Sequence, residues 1–367
     1  MKRTPLFKFH EKHGRLGEFS GFMMPIWYKG TIKEHMSVRN NVGVFDVSHM
    51  GRLLITGAQS ADFLDFLSTK NCSDLTQGKS QIALFCNESG GIIDDVMVTS
   101  LGKDSFLVTV NAMNKDSDLN WIARKRGEFD FRIIDLTQKV PMIAVQGPRS
   151  VETLERILGR GISSIAKMHS SWSSLDGKRL LISRTGYTGE DGFEVCLFEN
   201  GDESEALAFW QRVLDAGEEL SIEPCGLAAR DTLRLEAGFC LYGNELSKDV
   251  KPIEARLQSA VEFDGRRFVG RDALFSQSRK GADRLRAGLT VLERGIPRKG
   301  MKIWRENEEI GFTTSGNLSP TLNKGIAMGH VLPEYASIGT EVSIEIRGRK
   351  VKAEVVGLPF YRKGEKL

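Results

Sequence analysis

The sequence has 367 residues, too many for one ordinary hydrophobic core, so it predicts two or three domains. Hydrophobic residues make up 40% of it and charged residues 27%, which is typical of a globular protein and excludes a disordered or fibrous one. The formal net charge is only +3, from 51 basic and 48 acidic residues, which argues against a nucleic-acid binder with a dense basic face.

Five cysteines are scattered along the chain without a CxxC pair, and the six histidines lack the spacing of metal ligands. This pattern predicts reduced thiols in a cytosolic setting and no zinc site. No apolar segment approaches the ~20 residues needed to span a bilayer, and the first residues lack the apolar region of a secretory signal. The sequence therefore predicts a cytoplasmic protein with no metal centre and no membrane anchor.

The first part of the chain mixes strand and helix patterns. Residues 53–57 predict a strand, and the segment that follows carries apolar residues at helical spacing. Residues 105–110 predict another strand, after which Asn114 is a candidate helix N-cap. Residues 142–145 predict a short buried strand, followed by an amphipathic helix that Gly159 ends.

Asp176-Gly177, between two apolar segments, predicts a hairpin that joins residues 172–175 to residues 179–183. Beyond about Arg284, short strand patterns alternate with glycines. They cover residues 289–292, 302–304, 310–313, 326–330, 341–346 and 351–356. Several short strands with regular turn signals predict a small β-barrel or sandwich.

Three glycine-rich segments are candidates for chemistry. In the first, Gly90-Gly91 forms a turn before a strand that begins with two apolar residues and then carries Asp94 and Asp95. An aspartate at the edge of a pocket can accept a proton from a substrate nitrogen. Taken alone, however, the better interpretation is a turn with two solvated aspartates, because glycine and aspartate both favour turns.

The second segment, residues 183–194, has three glycines in seven residues between two strands. Backbone can approach a ligand closely there, but the spacing of a phosphate-binding loop is absent. Glu194, just inside the outgoing strand, is a candidate bidentate acceptor for an aminopyrimidine-like ring. A long hairpin with a charged flank is the other interpretation.

The third segment, residues 223–238, predicts a helix from Leu227 that Gly238 ends. Arg230 and Arg234, one turn apart, can bind a carboxylate or phosphate. The alternative is that Asp231 and Arg234 form a surface ion pair of little energetic consequence.

Together these segments resemble the aminomethyltransferase (T-protein) of the glycine cleavage system, and the likeness runs over nearly the whole chain. The matching blocks include GVFDVSHMG at 43–51, GGIIDD at 90–95, VQGP at 145–148, residues 184–194 and 224–238, LYG at 241–243, SPTL at 319–322 and PFYR at 359–362. The resemblance implies an α+β fold, a three-domain cloverleaf of the T-protein type with a C-terminal β-barrel-like domain. Its expected domains are a folate-binding region over residues 1–275, made of two interleaved subdomains, and a β-rich domain over residues 276–367.

The resemblance also implies the site. Asp95 corresponds to the catalytic aspartate, Glu194 to the pterin-binding glutamate and Arg230 to the arginine that binds the folate tail. Further folate contacts correspond to Tyr187, Met50, Asn111 and Arg362. None of these residues is a nucleophile, so the expected catalysis is orientation and proton transfer. His49 is a weaker acid–base candidate, because buried histidines more often satisfy structural hydrogen bonds.

The implied reaction transfers the methylene carbon of an aminomethyl group, carried on the lipoyl arm of the H-protein, to tetrahydrofolate with release of ammonia. Two positions depart from the family. Ile82 stands where an aromatic residue, commonly tyrosine, is usual, and Arg52 stands where glutamate is common. The alternatives are a related folate-dependent enzyme that uses another methyl donor and a folate-binding protein without transfer activity. No nucleic acid or membrane is an expected partner.

Overall fold

The computed structural model describes residues 1–198 and 202–364. Contacts divide the chain into two compact units. The first unit comprises Met1–Asp65, Asn71–Ile82 and Val96–Arg230, and the second comprises Phe66–Lys70, Ala83–Asp95 and the described residues from Asp231 onward. The expected domains of residues 1–275 and 276–367 stay predictions.

The described residues form α-helices and β-strands in a mixed order. The helices are α1 Phe7–His13, α2 Thr31–Asn40, α3 Ser60–Leu67, α4 Lys115–Lys125, α5 Ser150–Leu158, α6 Glu203–Gly217, α7 Leu227–Glu236 and α8 Arg271–Lys280. The strands of the first three-fifths of the chain are β1 Arg15–Phe19, β2 Phe22–Trp27, β3 Gly43–Asp46, β4 Gly51–Thr56, β5 Ser80–Cys86, β6 Ile92–Gly102, β7 Ser105–Val110, β8 Arg132–Asp135, β9 Met142–Gln146, β10 Ser170–Leu175, β11 Lys178–Ser183, β12 Gly192–Leu197 and β13 Glu223–Pro224. The remaining strands are β14 Leu285–Val291, β15 Lys302–Arg305, β16 Glu308–Ser319, β17 Lys324–Val331, β18 Glu341–Ile346 and β19 Arg349–Val356.

A six-stranded sheet of the first unit has the order β10-β11-β12-β9-β3-β13. Its central strands are apolar, and all five residues of β9 are buried. Helices α5 and α6 contribute Leu154 and Trp210 to the core against this sheet, together with Val145 and Phe193. The connection between β11 and β12, residues 184–191, is called the glycine loop below.

The hairpin predicted at Asp176-Gly177 is confirmed. These two residues join β10 to β11 with φ of 52° and 79°, the left-handed backbone that a two-residue hairpin turn requires. A five-stranded sheet has the order β5-β6-β7-β4-β8 and contains the strands predicted at residues 53–57 and 105–110. The helix predicted after residue 142–145 is α5, and Gly159 follows it with a φ of 80°.

The second unit contains a closed six-stranded barrel with the order β14-β17-β16-β15-β18-β19. Buried and less buried residues alternate along β18, and Val342, Ile344 and Ile346 point into the barrel core, as the sequence predicted. The α+β class and the C-terminal barrel are therefore confirmed.

Among the described residues, no helix combines the length and the apolar character required to cross a membrane. All five cysteines are free and buried. Within the same described ranges, no group of histidine, cysteine, aspartate and glutamate side chains has the arrangement of a metal site.

Candidate active site

An ion pair joins the two ends of the glycine loop. Two nitrogens of Arg184 donate to the two carboxylate oxygens of Asp191, at 3.0 and 2.5 Å, which closes the base of the loop. In its middle, the Thr188 hydroxyl donates to Oε1 of Gln146 at 2.9 Å. These bonds fix the backbone on either side of Tyr187, whose side chain is half-buried.

Gly186 lies where a side chain has no room. A Cβ atom there would come within 2.0 Å of Oε1 of Gln146, and the same amide donates from Nε2 to the Thr185 carbonyl at 3.1 Å. The loop therefore packs directly on Gln146, which explains one of the three glycines that the sequence singled out.

Glu194 occupies β12, where it pairs with Ser183 of β11 and Ala144 of β9. Its side chain is half-buried, and the Thr185 hydroxyl donates to Oε2 at 2.6 Å. A carboxylate offers about four acceptor positions, so this oriented group retains capacity for a ligand that presents two N–H groups.

Helix α7 begins at a buried carboxylate. Oε2 of Glu34 accepts the Gly226 N–H at 2.8 Å, and Oε1 accepts the N–H groups of Tyr28, Lys29 and Gly30 at 2.6 to 3.0 Å. A carboxylate at the N-terminus of a helix satisfies free N–H groups and suits the helix dipole. Glu34 thereby fixes the first turn of α7, which carries Arg230.

Arg230 lies over the ring of Tyr187, with its guanidinium carbon 4.7 Å from the ring centroid. This is a cation–π distance. Burial lowers the pKa of the Arg230 guanidinium, and the nearby Tyr187 and Glu194 oppose that shift. The first unit thus combines a cation, an aromatic face and a carboxylate in one half-buried cluster, called the Arg230 cluster below.

A turn over residues 47–50 links β3 to β4 in the first unit. Oδ1 of Asp46 accepts the Ser48 N–H at 2.8 Å, and Oδ2 of Asp46 is 2.8 Å from Nε2 of His10. Burial would raise the pKa of Asp46, but the hydrogen bond and charge of His10 lower it to about 2. The turn carries His49, which is buried, and Met50, which is half-buried.

His49 is neutral at physiological pH. Burial lowers its pKa to about 3, and the charge of Arg230 acts in the same direction. In the described part of the chain, its Nδ1 is buried without a hydrogen-bond partner. The structural hydrogen bond expected for a buried histidine is thus absent at Nδ1, and a proton-donating role at pH 7 does not fit this pKa.

Asn111 follows β7 in the first unit and is half-buried. Its carbonyl accepts the N–H groups of Asn114 and Lys115 at 3.0 and 3.1 Å, which starts α4. Asn114 occupies the predicted N-cap position, but its side chain makes no capping hydrogen bond to the helix.

Asp95 lies in the second unit, on β6. The turn before it depends on Asn87, whose Oδ1 accepts the N–H groups of Ser89 and Gly91 at 3.0 and 2.9 Å. Gly91 is required there because a Cβ atom would come within 1.8 Å of the Lys248 carbonyl oxygen. The Ile92 N–H then donates to the Val250 carbonyl at 3.0 Å, which fixes the start of the strand.

The interpretation of Asp94 and Asp95 as two solvated turn residues is wrong. Asp94 is completely buried and Asp95 is half-buried, because the strand continues through both positions. Cys240 is a neighbour of Asp95 in the same unit: burial raises the pKa of its thiol to about 12, and the charge of Asp95 contributes to that shift. The thiol next to Asp95 is therefore neutral.

Arg234 forms the ion pair with Asp231 that the sequence suggested, but it also has buried partners. Its guanidinium is buried in the second unit and donates to Asp231 at 2.7 Å, to Glu245 at 3.1 Å and to the Ser315 hydroxyl at 2.8 Å. The Asp231 side chain is 41% exposed, whereas Glu245 and Ser315 are buried. Arg234 is a structural residue.

The structure brings three of the predicted residues, Glu194, Tyr187 and Arg230, together in the Arg230 cluster. Met50 directly follows His49 in the chain, and the charge of Arg230 lowers the pKa of His49. Asp95 and Arg362 belong to the second unit, and Arg362 is exposed. Ile82 is 47% exposed on β5.

Sequence reasoning missed Glu34 and the network of His10 and Asp46, which hold the two segments behind the cluster. His10 and Asp46 lie 36 residues apart in the chain, and Glu34 accepts the N–H of a residue 192 positions away. The apolar residues of α2 are only Ile32, Met36 and Val38, and Ile32 is exposed, so the apolar pattern gave no signal that Glu34 is buried.

Two family models match the chain. The GCVT N-terminal domain matches residues 6–265, and the glycine cleavage T-protein C-terminal barrel domain matches residues 284–362. The second match covers the closed barrel described above.

Similar proteins cover the whole chain. Aminomethyltransferases of Oceanobacillus iheyensis and Desulfitobacterium hafniense are each 41% identical to it, over 99% of this chain and 99% of theirs. The crystal structure of the glycine cleavage system aminomethyltransferase T from Bartonella henselae matches with a TM-score of 0.91 and 35% identity, over 98% of both chains. The chain therefore belongs to the glycine cleavage T-protein family of aminomethyltransferases.

Proposed function

We propose that this protein transfers the methylene carbon of the aminomethyl-lipoyl H-protein to tetrahydrofolate and releases ammonia. Family membership supports the reaction class. The observation that carries the folate assignment is the Arg230 cluster, because a carboxylate acceptor, an aromatic ring and a half-buried cation suit a pterin ring with an anionic tail.

In this proposal Glu194 accepts two hydrogen bonds from the pterin ring nitrogen and its amino group. Arg230 neutralises a carboxylate of the benzoylglutamate tail, and Tyr187, Met50, Asn111 and Arg362 complete the folate contacts. The Thr185 hydroxyl supports this role for Glu194, since it orients the carboxylate before a ligand arrives.

The reaction breaks the C–N and C–S bonds of the aminomethyl-lipoyl group and forms bonds from the same carbon to N5 and N10 of the folate. The two N–H protons of the folate leave with ammonia and with the dihydrolipoyl thiol, so the atoms balance. Asp95 orients the folate nitrogens and accepts a proton in transit. A half-buried aspartate on a fixed strand supports this role.

The product distinguishes this reaction from methyl transfer, the alternative that Ile82 raised. Incubation of the protein with aminomethylated H-protein and tetrahydrofolate, followed by mass spectrometry, should give 5,10-methylenetetrahydrofolate. Absence of this product, together with formation of 5-methyltetrahydrofolate in a parallel incubation that supplies a methyl donor in place of the H-protein, would replace the proposal with methyl transfer. The cytoplasmic location stays a prediction from the cysteine pattern.

A further inference from the structure

We infer that Arg52 is a positioning residue for folate binding, because its guanidinium fixes the turn that carries Met50. The inference rests on the proposed function, which makes Met50 a folate contact.

Arg52 is completely buried at the start of β4. Its Nη1 donates to the Met50 carbonyl, and its Nη2 donates to the Ser48 carbonyl at 3.0 Å and to the Thr137 carbonyl. Its backbone N–H donates to the Thr137 hydroxyl at 3.2 Å. The guanidinium thus ties the turn over residues 47–50 to the segment that follows β8.

These partners are carbonyl groups and not carboxylates. A buried arginine carries a large desolvation cost, and burial lowers the pKa of this guanidinium, while the nearby charges of Asp46 and Asp135 oppose that shift. In the described residues its Nε has no hydrogen-bond partner. A purely stabilising role explains such an arrangement poorly, whereas fixing a turn of defined shape explains it directly.

The turn is held from both sides. Asp46 accepts the Ser48 N–H on one side, and Arg52 donates to the Ser48 and Met50 carbonyls on the other. The residue between those carbonyls, His49, senses the charge of Arg230. The turn that Arg52 fixes therefore lies within electrostatic range of Arg230. A glutamate at position 52, which has only acceptor oxygens when ionised, has no donors for these carbonyls.

The test compares Arg52→Met and Arg52→Lys with a matched control, Arg126→Met. Arg126 also donates to a backbone carbonyl, that of Phe131 at 2.7 Å, and lies in the first unit on a segment without proposed folate contacts. Each variant is titrated with tetrahydrofolate by calorimetry under anaerobic conditions. The KM for tetrahydrofolate and kcat are measured with aminomethylated H-protein, and circular dichroism checks folding.

We expect Arg52→Met to weaken tetrahydrofolate binding and raise KM at least about tenfold while kcat stays within about threefold, since binding geometry and not proton transfer is disturbed. Arg52→Lys, which keeps the charge but has fewer directed donors, should fall between wild type and Arg52→Met. Arg126→Met should stay within about twofold of wild type. If Arg52→Met does not fold, tetrahydrofolate binding and KM of Arg52→Lys and Arg52→Gln are compared with those of wild type instead.

Binding within about twofold of wild type in the folded Arg52 variants would overturn the inference and leave the proposed function intact. A fall in kcat with KM unchanged would also overturn it. Failure of the wild-type protein to bind tetrahydrofolate would remove the proposed function and this inference together, and the wild-type titration shows that case separately.

Discussion

Replacement of Glu194 by glutamine tests the folate assignment at a single atom. Glu194 is held by the Thr185 hydroxyl at 2.6 Å, and its carboxylate only accepts hydrogen bonds. Glutamine keeps the shape but turns one acceptor into an NH₂ donor, which then faces an N–H donor of the pterin. One charge-assisted hydrogen bond is lost, at a cost of about 1.5–3 kcal/mol.

That cost corresponds to tetrahydrofolate binding weakened about 10- to 150-fold, which calorimetry resolves. Thr185→Val removes only the hydrogen bond that orients Glu194. It should weaken the free energy of tetrahydrofolate binding by about 0.5–1.5 kcal/mol. Glu152→Gln, on an exposed ion pair of α5, is the control and should leave affinity unchanged. Wild-type affinity in Glu194→Gln would refute the assignment of this carboxylate to the pterin.

Three further predictions address the other unit and the buried charges. Asp95→Asn should leave tetrahydrofolate affinity within about tenfold and cut kcat strongly, as for a group that acts in the transition state; equal loss of affinity would make Asp95 a binding residue instead. Arg234→Met leaves Glu245 buried without its cation, so we expect the free energy of unfolding to fall by about 3–5 kcal/mol and calorimetry to show a clearly lower melting temperature. An unchanged melting temperature would contradict the structural role of Arg234. Burial lowers the folded-state pKa of His49 to about 3 and that of His330 to about 4, both below the ordinary 6.5. The unfolded chain therefore binds protons first, and stability should be full above pH 6.5 and decrease as the pH falls towards 4; equal urea midpoints at pH 7.5 and 5 would contradict this.

Local patterns predicted much of the fold because their causes are local. The alternation of Val342, Ile344 and Ile346 reflects the period of a strand, and Asp176-Gly177 has the residue types that a two-residue hairpin turn requires. Neither depends on distant parts of the chain.

Burial of charged residues could not be predicted in the same way. Arg234 is buried because Ser315, 81 residues away, and Glu245 receive its hydrogen bonds. Asp94 is buried because a strand extends through it where glycine and aspartate favour a turn. Long-range packing overrides local preference at both positions.

The candidate site came from the resemblance and not from local chemistry. Glu194 and Arg230 lie 36 residues apart, and what relates them is the packing of the glycine loop on Gln146 together with the start of α7 at Glu34. The carbonyl partners of Arg52 could not be predicted from the sequence and required the structure.

Ammonia release from aminomethylated H-protein in a single turnover, measured with and without tetrahydrofolate, is a direct test of the proposed reaction. We expect rapid release of one ammonia per aminomethyl group when the protein and tetrahydrofolate are both present, with an equal amount of 5,10-methylenetetrahydrofolate. If the folded protein and tetrahydrofolate are both present and ammonia is still released only at the uncatalysed rate, the proposed reaction is contradicted.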